Sequence, residues 1–405
     1  MTRQLLTGAR LFTGERMVVG HAVLLEGETI AAVLPAASAP AEVPVRRLPP
    51  DALLVPGFVD VQVNGAGGVL FNDTPTADAA LAIAAAVRPS GTTAVLPTFL
   101  TDDRRKMAQA CDAAVRALAR PAGGVLGVHL EGPFISRERP GVHAREWIRA
   151  PDGDDLALLC DVARRGLGDR GRLLSTVAPE CVDDAAIAEL TAAGVVVAAG
   201  HTAATVERTR QALAAGVRGF THLFNAMPPL VNRAPGPVLA ALADPHAWCS
   251  VIADGVHVHP ALLRLLVHVK PPGKVLLVTD AMPPAGTAAT SFQLYGRTIL
   301  RKDGRLTAED GTLAGADVDM ATSVRNCVRL LELPLEESLR MASLYPARYL
   351  GLEDRLGRVA PGHRADLALL REPDLSVLAT WVGGEEARHD DRGGRAAAVT
   401  GGAGG

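Results

Sequence analysis

Between residues 57 and 350, eight short apolar runs alternate with alanine-rich segments of helical pattern. The runs are Gly57–Val63, Thr92–Pro97, Val125–Leu130, Leu173–Val177, Val195–Ala199, Phe220–Phe224, Trp248–Ile252 and Val275–Thr279. Helices predicted over Asp78–Arg88, Asp103–Ala119, Asp183–Ala193 and Val206–Ala215 fill gaps between them. Strands that alternate with helices specify a parallel α/β sheet. Eight such units point to a closed (β/α)8, TIM-like barrel, with an open doubly wound sheet as the alternative. Polar groups lie at or just past the ends of four runs, and closure is the simplest way to gather strand ends at one point.

Those groups are Glu131 after Val125–Leu130, His201 after Val195–Ala199, His222 within the run that begins at Phe220, and Asp280 after Val275–Thr279. A carboxylate at the end of an apolar run is costly unless a partner satisfies it. A metal would serve, and so would an arginine. Each histidine alone is more often a packing or capping residue than a ligand. Together, two imidazoles and a carboxylate suit a borderline ion such as zinc, with one coordination position left for water. Asp280 either caps the following turn or, at the rim of a metal hydrolase, moves a proton from the attacking water to the leaving group. Pro283-Pro284 argues against a helix start there.

Two other patterns are weaker. Asp60-Val-Gln62-Val-Asn64 occupies the place of an H-x-H metal pair, but amides are poor zinc ligands, so a second metal loses its anchors. His257-Val-His259 has a spacing that permits a metal pair, and a setting beside Pro260 that equally suits substrate contact. No lysine ends a barrel run, which again favours one metal.

The flanks differ. Residues 1–56 carry short strand-like runs at Leu5-Leu6, Leu11-Phe12, Met17–Val19, Ala22–Leu25 and Thr29–Val33, with a Pro/Ala-rich loop over 35–50. After residue 350, further strands are predicted at Leu356–Val359, Ala365–Leu370 and Val377–Val382. These flanks are expected to form one small β-sandwich domain (residues 1–56 with 351–387) beside a catalytic barrel over 57–350, followed by a disordered tail over 388–405. A formal net charge of −3 leaves no basic footprint for nucleic acid. No apolar stretch reaches the roughly 20 residues of a membrane span, and the N-terminus is too polar for a secretion signal. Five scattered cysteines fit a reduced, cytoplasmic compartment.

The motifs, taken in order, resemble the N-acetylglucosamine-6-phosphate deacetylase family of the amidohydrolase superfamily. They are His129-Leu-Glu-Gly-Pro-Phe134, Ala178-Pro-Glu180, Ala199-Gly-His-Thr202, Thr221-His-Leu-Phe-Asn-Ala-Met-Pro228, Ile252-Ala-Asp-Gly-Val-His257, Val278-Thr-Asp-Ala281, Gly311-Thr-Leu-Ala-Gly315 and Leu344-Tyr-Pro-Ala-Arg348. The resemblance spans roughly residues 50–385. It implies Glu131, His201 and His222 as ligands of one divalent metal, zinc or alternatively iron(II), manganese or cobalt. It implies Asp280 as catalytic acid/base and His143 as the residue that helps polarise the acetyl carbonyl. Substrate contacts are implied at Val142, His143, Asn225, Ala226, Asp254, Gly255, Val256, His257, Leu313, Ala314 and Gly315, with Arg233 on the phosphate, contributed within the chain or by the neighbour in a homodimer. The expected reaction is hydrolysis of N-acetyl-D-glucosamine 6-phosphate to D-glucosamine 6-phosphate and acetate. The rivals are the galactosamine epimer, a cyclic-amide hydrolase of the same superfamily, and a non-enzymatic scaffold.

Overall fold

The computed structural model describes residues 2–389. At its centre lies an eight-stranded parallel sheet: β1 (Phe58–Val63), β2 (Thr92–Leu100), β3 (Gly127–Glu131), β4 (Arg172–Val177), β5 (Val196–Ala199), β6 (Gly219–Phe220), β7 (Trp248–Val251) and β8 (Val275–Leu277). Chain order is sheet order, and every neighbouring pair is parallel. The end of β1 and the segment that follows β8 meet through an isolated parallel bridge between Val63 and Ala281, which brings the two edges of the sheet together. β1, β2 and β3 are buried at every position, so their sequences read as continuous apolar runs rather than alternating ones.

Side-chain caps fix where loops become helices. Asp103 and Asp183, read as first helical residues, stand just outside Arg104–Leu118 and Asp184–Ala192 and accept from the N–H groups of Lys106 and Ala186. Thr76 and Thr205 do the same for Ala77–Val87 and Val206–Ala215.

A belt of hydrogen bonds crosses the barrel interior. The Thr98 hydroxyl lies 3.2 Å from His129 Nδ1, His129 Nε2 lies 2.7 Å from Thr176 Oγ1, and Thr176 Oγ1 lies 2.7 Å from Thr221 Oγ1. Gly200 sits between the last two, where a Cβ would come within 2.7 Å of Thr176 Cγ2 and 3.0 Å of Thr221 Cβ. The missing side chain is what lets the two threonines meet.

Four features depart from the sequence reading. The Phe220–Phe224 strand stops at Phe220, because His222 and Phe224 take φ of 29° and 81° and turn the chain out of the sheet. Leu356–Val359 is not a strand; Gly357, at φ 79°, breaks it, and Val359 instead donates its N–H to Thr13 O. Within the 35–50 loop, Val45–Arg47 pairs in parallel with Arg3–Thr7. An unread four-stranded meander follows β8: Ser291–Leu294, Arg297–Lys302, Arg305–Thr307 and Leu313–Ala316.

Beside the barrel, two sheets face each other. One orders Thr29–Pro35, His21–Glu26, Arg3–Thr7 and Val45–Arg47. The other orders Glu385–Arg388, Val377–Val382, Leu367–Arg371, Ala52–Pro56, Arg10–Phe12 and Met17–Val18, mixing both ends of the chain. Arg388 therefore belongs to a strand rather than to a tail; the rest of the expected tail, from residue 390, lies outside the described residues. Leu6, Val23, Leu25 and Ile30 from the first sheet pack against Leu54, Leu367, Leu369 and Trp381 from the second.

Trp381 is fully buried in that core. Trp381→Ala is expected to cost about 3–5 kcal/mol, read from the urea unfolding midpoint. A loss below about 1 kcal/mol would show that the sandwich core relaxes around the gap.

Candidate active site

The C-terminal rim of the barrel gathers Glu131, His201, His222 and Asp280. Glu131 ends β3 and is 2% exposed. The other three follow β5, β6 and β8 with φ of 47°, 29° and 52°, a left-handed backbone that non-glycine residues rarely adopt. Such outliers concentrate where surrounding structure enforces them for function.

Glu131 Oε1 lies 2.8 Å from His222 Nε2 and 3.3 Å from His201 Nε2, and the two Nε2 atoms are 3.1 Å apart. His201 Nδ1 is 2.9 Å from the Arg139 carbonyl, which can only accept, so the proton of a neutral ring sits on Nδ1. Its Nε2 lone pair then faces a carboxylate oxygen, and a proton or a cation has to lie between them. This donor set, two imidazole nitrogens and one carboxylate oxygen converging on one point, fits a divalent metal. Left to its own charges, the cluster polarises. Burial opposes ionisation of Glu131, but the two histidines outweigh it and hold the carboxyl well below its ordinary range. Burial also opposes His222⁺, yet the Glu131 hydrogen bond and charge raise that imidazole.

His143 is close enough to join: ligating atoms of Glu131, His143 and His201 lie within 4.8 Å of one another. Its tautomer sets it apart. The Thr101 N–H points at His143 Nδ1 from 3.2 Å, which leaves Nδ1 as acceptor and the proton on Nε2. That Nε2 is 3.9 Å from Glu131 Oε2. Burial and the His201 charge push the imidazole down to about 3, so it faces the site as a neutral donor.

Gln62 and Asn64 are the residues whose role sequence reasoning missed. Gln62 Nε2 donates to Glu131 Oε1 and to Asp280 Oδ1, both at 3.0 Å, and Asn64 Nδ2 donates to Asp280 Oδ1 at 2.7 Å. Two carboxylates can only accept, so this orientation of the amides follows from their partners. Gln62 Oε1 and Asn64 Oδ1 remain buried without hydrogen-bond partners. Burial pushes Asp280 up to about 6, with the Glu131 charge adding and the His222 charge and Asn64 bond opposing.

The remaining residues surround this centre unevenly. Leu313–Ala316 lies against the Asp280 segment, with Ala316 N–H on Asp280 O at 3.0 Å. Asn225 folds back on His222 O at 3.1 Å, and Ala226 O accepts from Thr202 N–H. His257 Nδ1 lies 2.7 Å from Asp254 Oδ2, while Asp254 Oδ1 accepts from the N–H groups of Val256 and His257. His259 is exposed and caps Pro260–Val269, so His257 and His259 serve different partners and form no metal pair. Arg233 is exposed on the loop before Gly236–Ala243 and has no partner among the described residues. His129 is buried in the threonine belt beneath Glu131.

Under the rim, Asp60 Oδ2 meets Thr279 Oγ1 at 2.5 Å, and burial pushes its carboxyl up to about 7 despite that bond. A carboxyl raised on folding holds its proton more tightly in the folded chain, so stability falls as pH climbs from about 4 to about 7. At roughly 1.4 kcal/mol per unit, the total is at most about 4 kcal/mol. With chelator present, Asp60→Asn should flatten the urea midpoint across that window relative to the parent chain. Parallel profiles would show that Asp60 is ionised throughout.

Comparison with known proteins adds sequence relationship to this geometry. The amidohydrolase family profile matches residues 53–387, and the NagA composite domain matches residues 5–49. N-acetylgalactosamine-6-phosphate deacetylase of Shewanella sp. (strain ANA-3) is 40% identical over 82% of this chain and 82% of its own. N-acetylglucosamine-6-phosphate deacetylase of Haemophilus influenzae is 34% identical over 93% and 97%. Among solved structures, N-acetylglucosamine-6-phosphate deacetylase from Pasteurella multocida superposes with a TM-score of 0.90 at 35% identity, covering 96% of this chain and 100% of the other. A mutant of the Mycobacterium smegmatis enzyme in complex with N-acetyl-D-glucosamine-6-phosphate gives 0.85 at 34%, covering 95% and 99%.

Proposed function

The chain belongs to the amidohydrolase family, and from that premise we propose that it hydrolyses N-acetyl-D-glucosamine 6-phosphate to D-glucosamine 6-phosphate and acetate. The observation that carries the reading is the convergence of Glu131, His201 and His222 on one point, with Asp280 joined to Glu131 through Gln62. Relatives acting on phosphorylated N-acetyl sugars, aligned over most of the chain, set the substrate class.

Glu131, His201 and His222 would hold one divalent ion, zinc by the character of the donors. Bound there, it supplies Lewis acidity and lowers the pKa of water towards neutrality. Gln62 and Asn64 fill the place of a second metal's ligands with amides that donate to carboxylates instead.

Asp280 takes one proton from the attacking water as the new C–O bond forms at the acetyl carbon. Oδ1 is occupied by the two amide donors, which leaves Oδ2 to carry that proton. The same oxygen delivers it to the amide nitrogen as the C–N bond breaks, so one carboxyl serves as base and then acid. His143 Nε2–H donates to the carbonyl oxygen as negative charge builds there. Arg233 offers a guanidinium fork to the phosphate. Leu230 and Val231, 50% and 46% exposed beside it, are the surface a second copy of the chain would cover in a homodimer. A phosphorylated sugar substrate and free cysteines suit the cytoplasm.

The Shewanella relative favours the galactosamine epimer as a second reading. Comparing kcat/KM for the two 6-phosphates decides it: the gluco substrate should be preferred, and a preference for the galacto substrate would replace the first assignment.

Asp280→Asn should keep one metal per chain, by elemental analysis, while losing roughly 10²–10⁴-fold in kcat. Near-parental turnover would remove Asp280 from the proton path. Arg233→Ala deletes a charge-assisted contact of about 1.5–3 kcal/mol. It should therefore lower kcat/KM roughly 10- to 150-fold on the phosphorylated sugar, with a much smaller effect on N-acetylglucosamine. Equal losses on both would assign Arg233 to the fold and the phosphate to another partner.

A further inference from the structure

The meander after β8 is not needed to close the barrel. Its apolar side nevertheless packs Leu294, Ile299 and Leu306 against Leu70, Leu100 and Met282, with Val142 and Tyr295 at the edge of the same cluster. Val142 precedes His143, and Met282 stands two residues past Asp280. The added sheet therefore bears on two segments that carry site residues.

Its first hairpin turns at Tyr295-Gly296, with φ of 50° and 74°. Two left-handed residues in a two-residue hairpin favour Asn, Asp or Gly in the first place. A tyrosine there is strained by its own side chain, so something else holds it. Its hydroxyl donates to Thr101 O at 2.7 Å, with most of the ring out of solvent. Thr101 is the residue whose N–H faces His143 Nδ1 at 3.2 Å and whose Oγ1 lies 2.8 Å from the same atom. Asn72 braces the approach, accepting Leu100 N–H at 2.8 Å and donating to Leu100 O at 2.9 Å. One line of contacts thus runs from the hairpin tip, through the Thr101 peptide, to the back of the His143 ring.

We propose that Tyr295 and Thr101 are positioning residues: the tyrosine hydroxyl fixes the Thr101 backbone, and Thr101 holds His143 in the tautomer that presents Nε2–H to the reacting carbonyl. If Thr101 moves, Nδ1 loses the N–H donor that selects this tautomer, and the ring is free to place its proton there. His143 then turns a lone pair towards the carbonyl oxygen, where a donor is required. The inference rests on the deacetylase reading for the identity of that carbonyl. The tautomer itself is a property of the chain.

The test uses the full-length, zinc-loaded chain labelled with ¹⁵N-histidine. Two-bond ¹H–¹⁵N spectra, assigned with His143→Gln, report which nitrogen of His143 carries the proton. The parent should show Nε2–H. Tyr295→Phe keeps the ring and removes only the hydroxyl; it should yield a mixture of tautomers and lower kcat about 3- to 10-fold, the loss of one hydrogen bond. KM and zinc content should stay within about twofold. Thr101→Val removes the side-chain contacts that anchor this residue to Glu131 O and His143, which loosens its N–H as well, so it should act in the same direction; Thr101→Ser, which keeps the hydroxyl, should restore both signals. If the tyrosine variant does not fold, the two threonine variants carry the comparison. An unshifted His143 spectrum in both Tyr295→Phe and Thr101→Val, or a proton on Nδ1 in the parent, overturns the proposal. A parent chain inactive on N-acetyl-D-glucosamine 6-phosphate but with His143 on Nε2–H would instead refute the substrate reading and leave the positioning role standing.

Discussion

Gln62 and Asp280 are 218 residues apart in the chain, and the rim holds its shape because their segments pair. The Asp280 N–H reaches Gln62 O at 2.9 Å, Asn64 and Gly65 reach back to Ala281 O, and Thr279 Oγ1 bonds Asp60 beneath them. This seam is what makes an open parallel sheet into a barrel. It also sets two amides against two carboxylates, so the fold's last closure and the site's first electrostatic arrangement are the same contacts. Loss of this register would separate Asp280 from Gln62 and Asn64 while leaving most of the barrel's parallel pairs in place.

The site stores unfavourable terms that the rest of the molecule has to offset. Glu131 is buried beside three imidazoles, Asp280 is held above its ordinary pKa by burial and by Glu131, and three rim residues have left-handed backbone. Each such outlier costs on the order of 1–3 kcal/mol. Opposing them are a large core shared between barrel and helices and the threonine–histidine belt that ties β2, β3, β4 and the segment after β6 together just below the rim. The rim is strained because the layer under it is not.

Barrel strands and the starts of the four helices read from sequence, to within a residue, were legible because they follow from continuous burial and from Asp or Thr caps, both local signals. Glu131, His201, His222 and Asp280 were legible as groups at strand ends. Besides the Val45–Arg47 strand and the broken Leu356–Val359 run, three things were not. The early end of β6 depends on left-handed His222 and Phe224, and neither is a glycine that would announce the turn. The donor role of Gln62 and Asn64 exists only across the seam with β8; in sequence they look like a metal pair that lost its imidazoles. The meander hid because its strands are mostly exposed, with Arg297–Lys302 burying a single residue fully. Its signal was present nonetheless in the two-residue turns Tyr295-Gly296 and Asp303-Gly304.

The mixed sheet of the small sandwich has a consequence for the order in which the protein can be made. Ala52–Pro56 lies between Arg10–Phe12 and Leu367–Arg371, so one of its two edges stays unpaired until the ribosome has passed the whole barrel. At about 5–20 residues per second, that wait is on the order of tens of seconds. Throughout it, Leu53, Leu54 and Val55, all buried in the finished protein, border an open strand edge. A strand made before the barrel is thus completed only after it. A nascent chain halted before residue 367 would carry all eight barrel strands and an unpaired apolar edge at Ala52–Pro56, the kind of open strand that templates aggregation.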